Sequence, residues 1–144
     1  MKRVKKLDLF NKIKEIREFE YGIFYFFQGG IIISEIKEGI IFKWDQAEKV
    51  INAAHDIYGT EIPLIYISNR VNRYYVLPFD WLKFYKNRNN VAHYAAIGQT
   101  TGSLFSFFLE RLFFPKSIIQ FKNLDEAVHW AVKNSSISLN SITP

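Results

Sequence analysis

The sequence contains no cysteine. That excludes a disulfide-stapled scaffold, a zinc or iron–sulfur site built on thiolates, and a thiol nucleophile. It also has no run of about 18 uninterrupted apolar residues, so no membrane-spanning helix is expected. Signatures of catalysis are missing as well. There is no Gly-x-Ser-x-Gly elbow for serine hydrolysis and no G-x-G-x-x-G dinucleotide fingerprint. His55, His93 and His129 are widely spaced and form neither an H-x-x-x-H nor an H-E-x-x-H pair, so no metal centre is expected. The carboxylates are scattered singly or sit on helix faces. The expectation is a non-enzymatic protein without a cofactor.

What is present is an ordinary globular balance. The chain has 144 residues, 49% hydrophobic and 23% charged, enough for one sizeable core. Aromatics reach 17%, with 14 Phe, 8 Tyr and 3 Trp. The net charge of +5 is concentrated at one end: residues 1–17 carry seven bases against Asp8 and Glu15, and the rest of the chain is balanced. Residues 1–17 therefore read as a basic arm, 18–134 as the folded body, and the Ser-rich 135–144 as a flexible tail. Asp8, Lys12, Lys14 and Glu15 interrupt what would be a signal-peptide core, so a cytoplasmic location is expected. A second basic cluster, Arg70, Arg73, Lys83, Lys86 and Arg88, faces only Asp80 in sequence.

The periodicities alternate. The aromatic, β-branched run 20–27, the Gly29-Gly30 pair and the run 31–36 predict a β-hairpin. Ile40 to Phe42 is ambiguous. From Trp44 to Tyr58 the apolar residues fall on one helical arc, and Gly59 provides a stop. Residues 62–67 and 91–97 read as strands buried on both faces, with a polar loop over 68–78 and a helix over 81–88 capped by Asp80. A helix over 101–113 precedes a strand at 117–121. Asn123 with Glu126 then signals the start of a helix reaching about Lys133. Strands alternating with helices imply a mostly parallel sheet in one α/β domain.

Gly30-Ile31-Ile32-Ile33, the Lys37-Glu38-Gly39 turn and Trp44-Asp45-Gln46-Ala47-Glu48-Lys49-Val50-Ile51 resemble the opening of STAS-like (SpoIIAA-like) bacterial domains. Ala96-Ile97-Gly98, the Phe-rich stretch after it, Ile119-Gln120-Phe121 and Leu124-Asp125-Glu126-Ala127-Val128-His129-Trp130 resemble their closing elements. The resemblance implies a four- to five-stranded, mostly parallel sheet with the N-terminal hairpin and helices mainly on one side. It also implies a regulatory protein–protein interaction module. Antagonists of that family carry a phosphorylatable Ser in an Asp-Ser-x-Gly-type loop. Here Ser68 is near that place, but the Asp and Gly are absent. More distant members of the fold group resemble CRAL-TRIO lipid carriers, which implies a small-molecule or lipid-binding alternative.

Two sets of residues are candidates for contact. Arg70, Arg73, Tyr74 and Tyr75 interleave guanidinium and ring, and they leave the end of a buried strand, where open α/β sheets place their sites. With the strand-to-helix turn at Thr100, Thr101 and Gly102 they would form an exposed site for an anionic small ligand or lipid. Phe107 and Phe114 fall off the core arc of the 101–113 helix, beside Glu110 and Arg111, and suggest a homodimer or protein-partner interface. Nucleic acid is not an expected partner, since the folded body carries no net positive charge.

Overall fold

The structure, a computed structural model, describes residues 1–7, 12–87, 91–98 and 118–135. Its centre is a six-stranded sheet in the order β1-β2-β3-β5-β7-β8. The strands are β1 (Ile13–Phe19), β2 (Gly22–Phe27), β3 (Ile31–Ile36), β5 (Leu64–Arg70), β7 (Val91–Gly98) and β8 (Ile118–Phe121). The first three pair antiparallel, and β3/β5, β5/β7 and β7/β8 pair parallel, as the alternating periodicities require. β2 and β3 form the expected hairpin. Gly30 closes it at φ +83°, where an added Cβ would stand 3.0 Å from the Pro63 carbonyl oxygen.

Three helices are described: α1 (Trp44–Tyr58), α2 (Pro78–Lys86) and α3 (Leu124–Asn134). α1 spans the predicted residues, and Gly59 ends it at φ +81°. α3 begins as the sequence signals, with the Glu126 N–H donating to Asn123 Oδ1 at 2.9 Å.

Because strand side chains alternate, the sheet buries two separate faces. Phe24, Phe26, Ile32 and Leu64 meet Ala47, Val50 and Ala54 of α1 on one. Tyr25, Ile33, Ile65, Ile67 and Ile97 meet Leu124, Ala127, Val128 and Ala131 of α3 on the other. Two described helices thus share the first face, and α3 covers the second.

The structure departs from the sequence expectations in four places. Residues 13–19 are not part of an arm: they form the edge strand β1, which brings the sheet to six strands rather than four or five. Residues 1–7 are also anchored, with Val4 and Leu7 buried in the α3-side core. The Val4 N–H donates to the buried Glu35 carboxylate at 2.9 Å, and Lys2 pairs with Asp125 at 2.9 Å. The expected loop at 68–78 begins later, because Ser68, Asn69 and Arg70 continue β5. Beyond it, β6 (Tyr75–Val76) pairs in parallel with β4 (Ile41–Phe42) as a two-stranded ribbon. Finally, Asp80 does not cap its own helix. It lies in the first turn of α2, and its Oδ2 accepts the Trp44 N–H at the start of α1 at 3.1 Å. The expected helix at 101–113 and the tail beyond residue 135 lie outside the described residues.

Candidate functional site

An almost wholly apolar cavity of about 100 Å³ lies between α1, α2, the β4–β6 ribbon and the sheet. The recess that contains it, counting space continuous with solvent, measures about 780 Å³. The cause is local and sequence-encoded. α1 turns Ala47 and Ala54 towards the sheet where larger side chains would fill the gap, while Phe24, Phe42 and Phe84 hold the surrounding elements apart. Phe42 contacts Phe24, Tyr74 and Phe84 through ring centroids 6.1–6.4 Å apart, so one aromatic cluster ties ribbon, sheet and α2 together. Trp44, Ile51 and Phe84 are half-buried and form part of the rim.

Behind part of this apolar wall lies a polar network. The rings of Tyr66, Tyr74 and Tyr94 line the wall, and their hydroxyls run into hydrogen bonds behind it. Tyr66 donates to Ser34 Oγ at 2.7 Å. The Tyr74 hydroxyl and Ser68 Oγ are 2.8 Å apart, and Arg70 Nε donates to that same Ser68 oxygen at 3.1 Å. Arg70 Nη2 donates to the Tyr94 hydroxyl at 3.1 Å. Tyr66 and Tyr94, register partners on β5 and β7, stack with ring centroids 5.5 Å apart. Burial and the neighbouring Tyr74 push the Tyr66 hydroxyl well above the usual phenol range, so it stays a neutral donor at any physiological pH. A wall of rings can enclose an apolar body, with the tyrosine hydroxyls as candidate partners for a single polar group.

The structure distributes the predicted site residues over two surfaces. Arg70 is 3% exposed and Tyr74 is 4% exposed; Tyr74 lines the cavity, and Arg70 belongs to the hydrogen-bond network behind its wall. Arg73 and Tyr75 face solvent on the outer side, where the Arg73 N–H donates to Glu38 Oε1 at 3.0 Å. The β5 and β7 strand ends do meet, since Arg70 is paired with Gly98. Gly98 has φ +98°, and an added Cβ would come within 2.8 Å of the Arg70 carbonyl oxygen, so that junction admits only glycine. Thr100, Thr101, Gly102, Phe107 and Phe114 lie outside the described residues. Ser68, at the position the family resemblance singles out, is 1% exposed, and its hydroxyl is bonded to Tyr74 and Arg70 rather than displayed.

Sequence reasoning did not find Tyr66, Tyr94 or the small residues of α1. The available signal was the spacing of Ala47 and Ala54, seven residues apart on the inward arc of an otherwise bulky helix. Among the described residues, no three His, Asp or Glu side chains gather as metal ligands, and no helix is long and apolar enough to cross a membrane.

This arrangement of sheet, hairpin and helices has a solved counterpart. An uncharacterised protein of the DUF3478 family with a SpoIIAA-like fold, from Shewanella loihica PV-4, superposes with a TM-score of 0.51. The match covers 81% of this chain and 90% of that one, at 17% identity. The fold is SpoIIAA-like. No family model matches the sequence, and no curated protein matches it. The STAS-like resemblance in the hairpin, α1 and the closing strand and helix therefore corresponds to the three-dimensional fold. At that identity the likeness concerns architecture and carries no residue roles.

Proposed function

We propose that this SpoIIAA-like domain is a non-enzymatic binding module that takes a small apolar molecule with one polar terminus into the cavity beneath α1. The observation that carries this reading is the cavity itself. Protein interiors are close-packed, and a gap of this size beside bulky neighbours is costly unless it is used. Its volume is comparable to that of an engineered apolar cavity of roughly 150 Å³ that binds benzene. A ring or a short acyl segment therefore fits inside, with any longer portion lying in the open recess. The polar terminus would meet the hydroxyls of Tyr66, Tyr74 and Tyr94.

Filling the cavity tests this. Ala54→Phe adds a ring where the Cβ of a fully buried alanine now borders empty space. Titration of the full chain with anilinonaphthalene sulfonate should give saturable fluorescence enhancement in the wild type and at least tenfold weaker binding in the variant. Ala47→Leu, a smaller intrusion at the rim, should give an intermediate loss and guards against misfolding of the first variant. Unsaturable enhancement in the wild type, or equal affinity in folded wild type and both variants, would overturn the reading.

A further inference from the structure

The outer surface of the β4–β6–α2 cap carries a second feature. Among the described residues six large hydrophobic side chains are exposed, and four of them, Ile41, Tyr75, Leu77 and Phe79, fall on this cap. Their clustering follows from the ribbon's pairing. Ile41 is the register partner of Tyr75, and Phe42 is the partner of Val76. Paired residues share a face, so Phe42 and Val76 turn together into the core and Ile41 and Tyr75 turn together outward. Leu77 follows Tyr75 by two residues and is 44% exposed. Phe79, in the first turn of α2, is 82% exposed, whereas every other described phenylalanine is at least partly buried.

The charge beside these side chains is mainly basic, with Lys43, Arg73, Lys83 and Lys86 set against the exposed Glu38 and Asp45 and the buried Asp80. Lys83 and Lys86 stand four and seven residues after Phe79 and share its stripe of α2, with Lys83 57% exposed. Lys43 follows Ile41 by two residues, and the exposed Arg73 precedes Tyr75 by two. The described acids of the cap are three. Asp80 is buried, its Oδ2 accepting the Trp44 N–H while its Oδ1 lies 3.9 Å from Lys83 Nζ. The exposed Glu38 and Asp45 accept the backbone N–H groups of Arg73 and Gln46.

We infer that this cap is a docking surface for an anionic phospholipid bilayer. Phe79, Leu77, Tyr75 and Ile41 would enter the boundary between headgroups and acyl chains, while the flanking lysines meet lipid phosphates. The charge complementarity decides the occupant. A stripe that begins with a projecting phenylalanine and continues as lysines matches a surface that is apolar below and anionic above. A protein interface would instead concentrate its apolar side chains in a core inside a polar rim. The inference rests on the outer surface alone and stands whether or not the cavity behind Phe42 and Val76 binds a ligand.

Vesicle flotation with the full chain tests it, comparing phosphatidylcholine alone with phosphatidylcholine containing roughly one third phosphatidylglycerol. The wild type should float with the anionic vesicles, float far less with the neutral ones, and dissociate as salt rises. The double variant Leu77→Ser/Phe79→Ser should lose at least tenfold in partitioning to anionic vesicles. Lys83→Glu/Lys86→Glu should lose on the order of tenfold or more, since each basic residue near such a surface contributes roughly fivefold. All four side chains are exposed, so melting temperatures should remain near the wild-type value and certify the fold. No flotation of the wild type, equal flotation with both vesicle types, or equal flotation of wild type and the apolar double variant would overturn the proposal. So would sedimentation showing that the patch joins two copies of the chain and that Leu77→Ser/Phe79→Ser merely separates them.

Discussion

Val4→Ala probes whether the basic N-terminal segment is part of the core. Val4 has no exposed surface, and it packs with Leu7 among Tyr25, Ile33, Ile67 and the α3 residues Leu124 and Val128. The substitution removes two methyl groups, worth roughly 0.8 kcal/mol each in transfer free energy. It leaves a hole of about 50 Å³, which at about 24 cal/mol per Å³ adds about 1.2 kcal/mol. The backbone N–H that bonds Glu35 is retained, so the change isolates packing from electrostatics. The expected loss is therefore about 2–3 kcal/mol, or a drop in Tm of roughly 6–12 °C for a domain of this size. Thermal melts followed by circular dichroism measure it, with the exposed neighbour Lys5→Ala as a control expected to leave Tm unchanged. A Val4→Ala melt indistinguishable from wild type would refute the anchoring and return residues 1–7 to the status of a solvated arm.

High pH should destabilise the fold through its buried phenols. Burial raises the Tyr66 and Tyr58 hydroxyls above the usual range, and burial with the Asp45 carboxylate pushes Tyr21 up to about 12. Unfolded tyrosine ionises near 10 (about 10 in model peptides), while the folded chain keeps these protons, so their stabilising contribution is intact below pH 10 and falls as pH rises beyond it. Denaturant midpoints should therefore drop between pH 10 and 11 and stay flat from 8 to 9. Tyr66→Phe should reduce the loss between pH 10 and 11 by about 1 kcal/mol, and a flat wild-type profile would contradict the assignment. Gly30→Ala, strained at φ +83° and pressed on the Pro63 carbonyl, should cost about 1–3 kcal/mol in urea unfolding, whereas a neutral result would mean the hairpin turn is not constrained there. Asn123→Ala should cost about 1 kcal/mol through the lost cap on α3, and an unchanged midpoint would show that the Glu126 N–H is satisfied without it.

The elements legible in the sequence were those whose burial pattern is periodic. α1 has one apolar arc over fifteen residues with a glycine after it, and the β2–β3 hairpin has two β-branched and aromatic runs around Gly29-Gly30. The parallel core strands were legible as continuous apolar runs. β1 was not, because Ile13-Lys14-Glu15-Ile16-Arg17-Glu18-Phe19 is an edge strand with charge on both sides, and its lysines and arginine blended into the basic segment before it. β4 and β6 are two residues each, too short to carry any period. The end of β5 was misread as loop because Ser68, Asn69 and Arg70 are polar. They stay in the strand because the fold supplies partners: Asn69 Nδ2 donates to Glu35 Oε2 at 2.9 Å, and Arg70 donates to Ser68 and Tyr94.

The site was half legible for a related reason. Arg70 and Tyr74 stood out by composition, yet their placement depends on partners distant in sequence. Tyr94 comes from β7, and Tyr66 reaches Ser34 across the β3–β5 pairing. The sequence also could not separate Arg70 from Arg73, because the reversal between β5 and β6 sends one inward and the other outward. A cavity is still harder to read, since it is made by what α1 lacks at Ala47 and Ala54 rather than by any residue with chemistry of its own.

The central claim is that the space beneath α1 admits a ligand, and methyl-resolved NMR of the full chain titrated with indole tests it most directly. Indole is a ring-sized apolar probe with one polar N–H. The account predicts saturable shifts confined to methyls that line the cavity, among them those of Ala47, Val50, Ala54 and Leu64, with those of Ala127, Val128 and Ala131 across the sheet unmoved. Absence of saturable shifts, or shifts spread equally over both faces of the sheet, would contradict it.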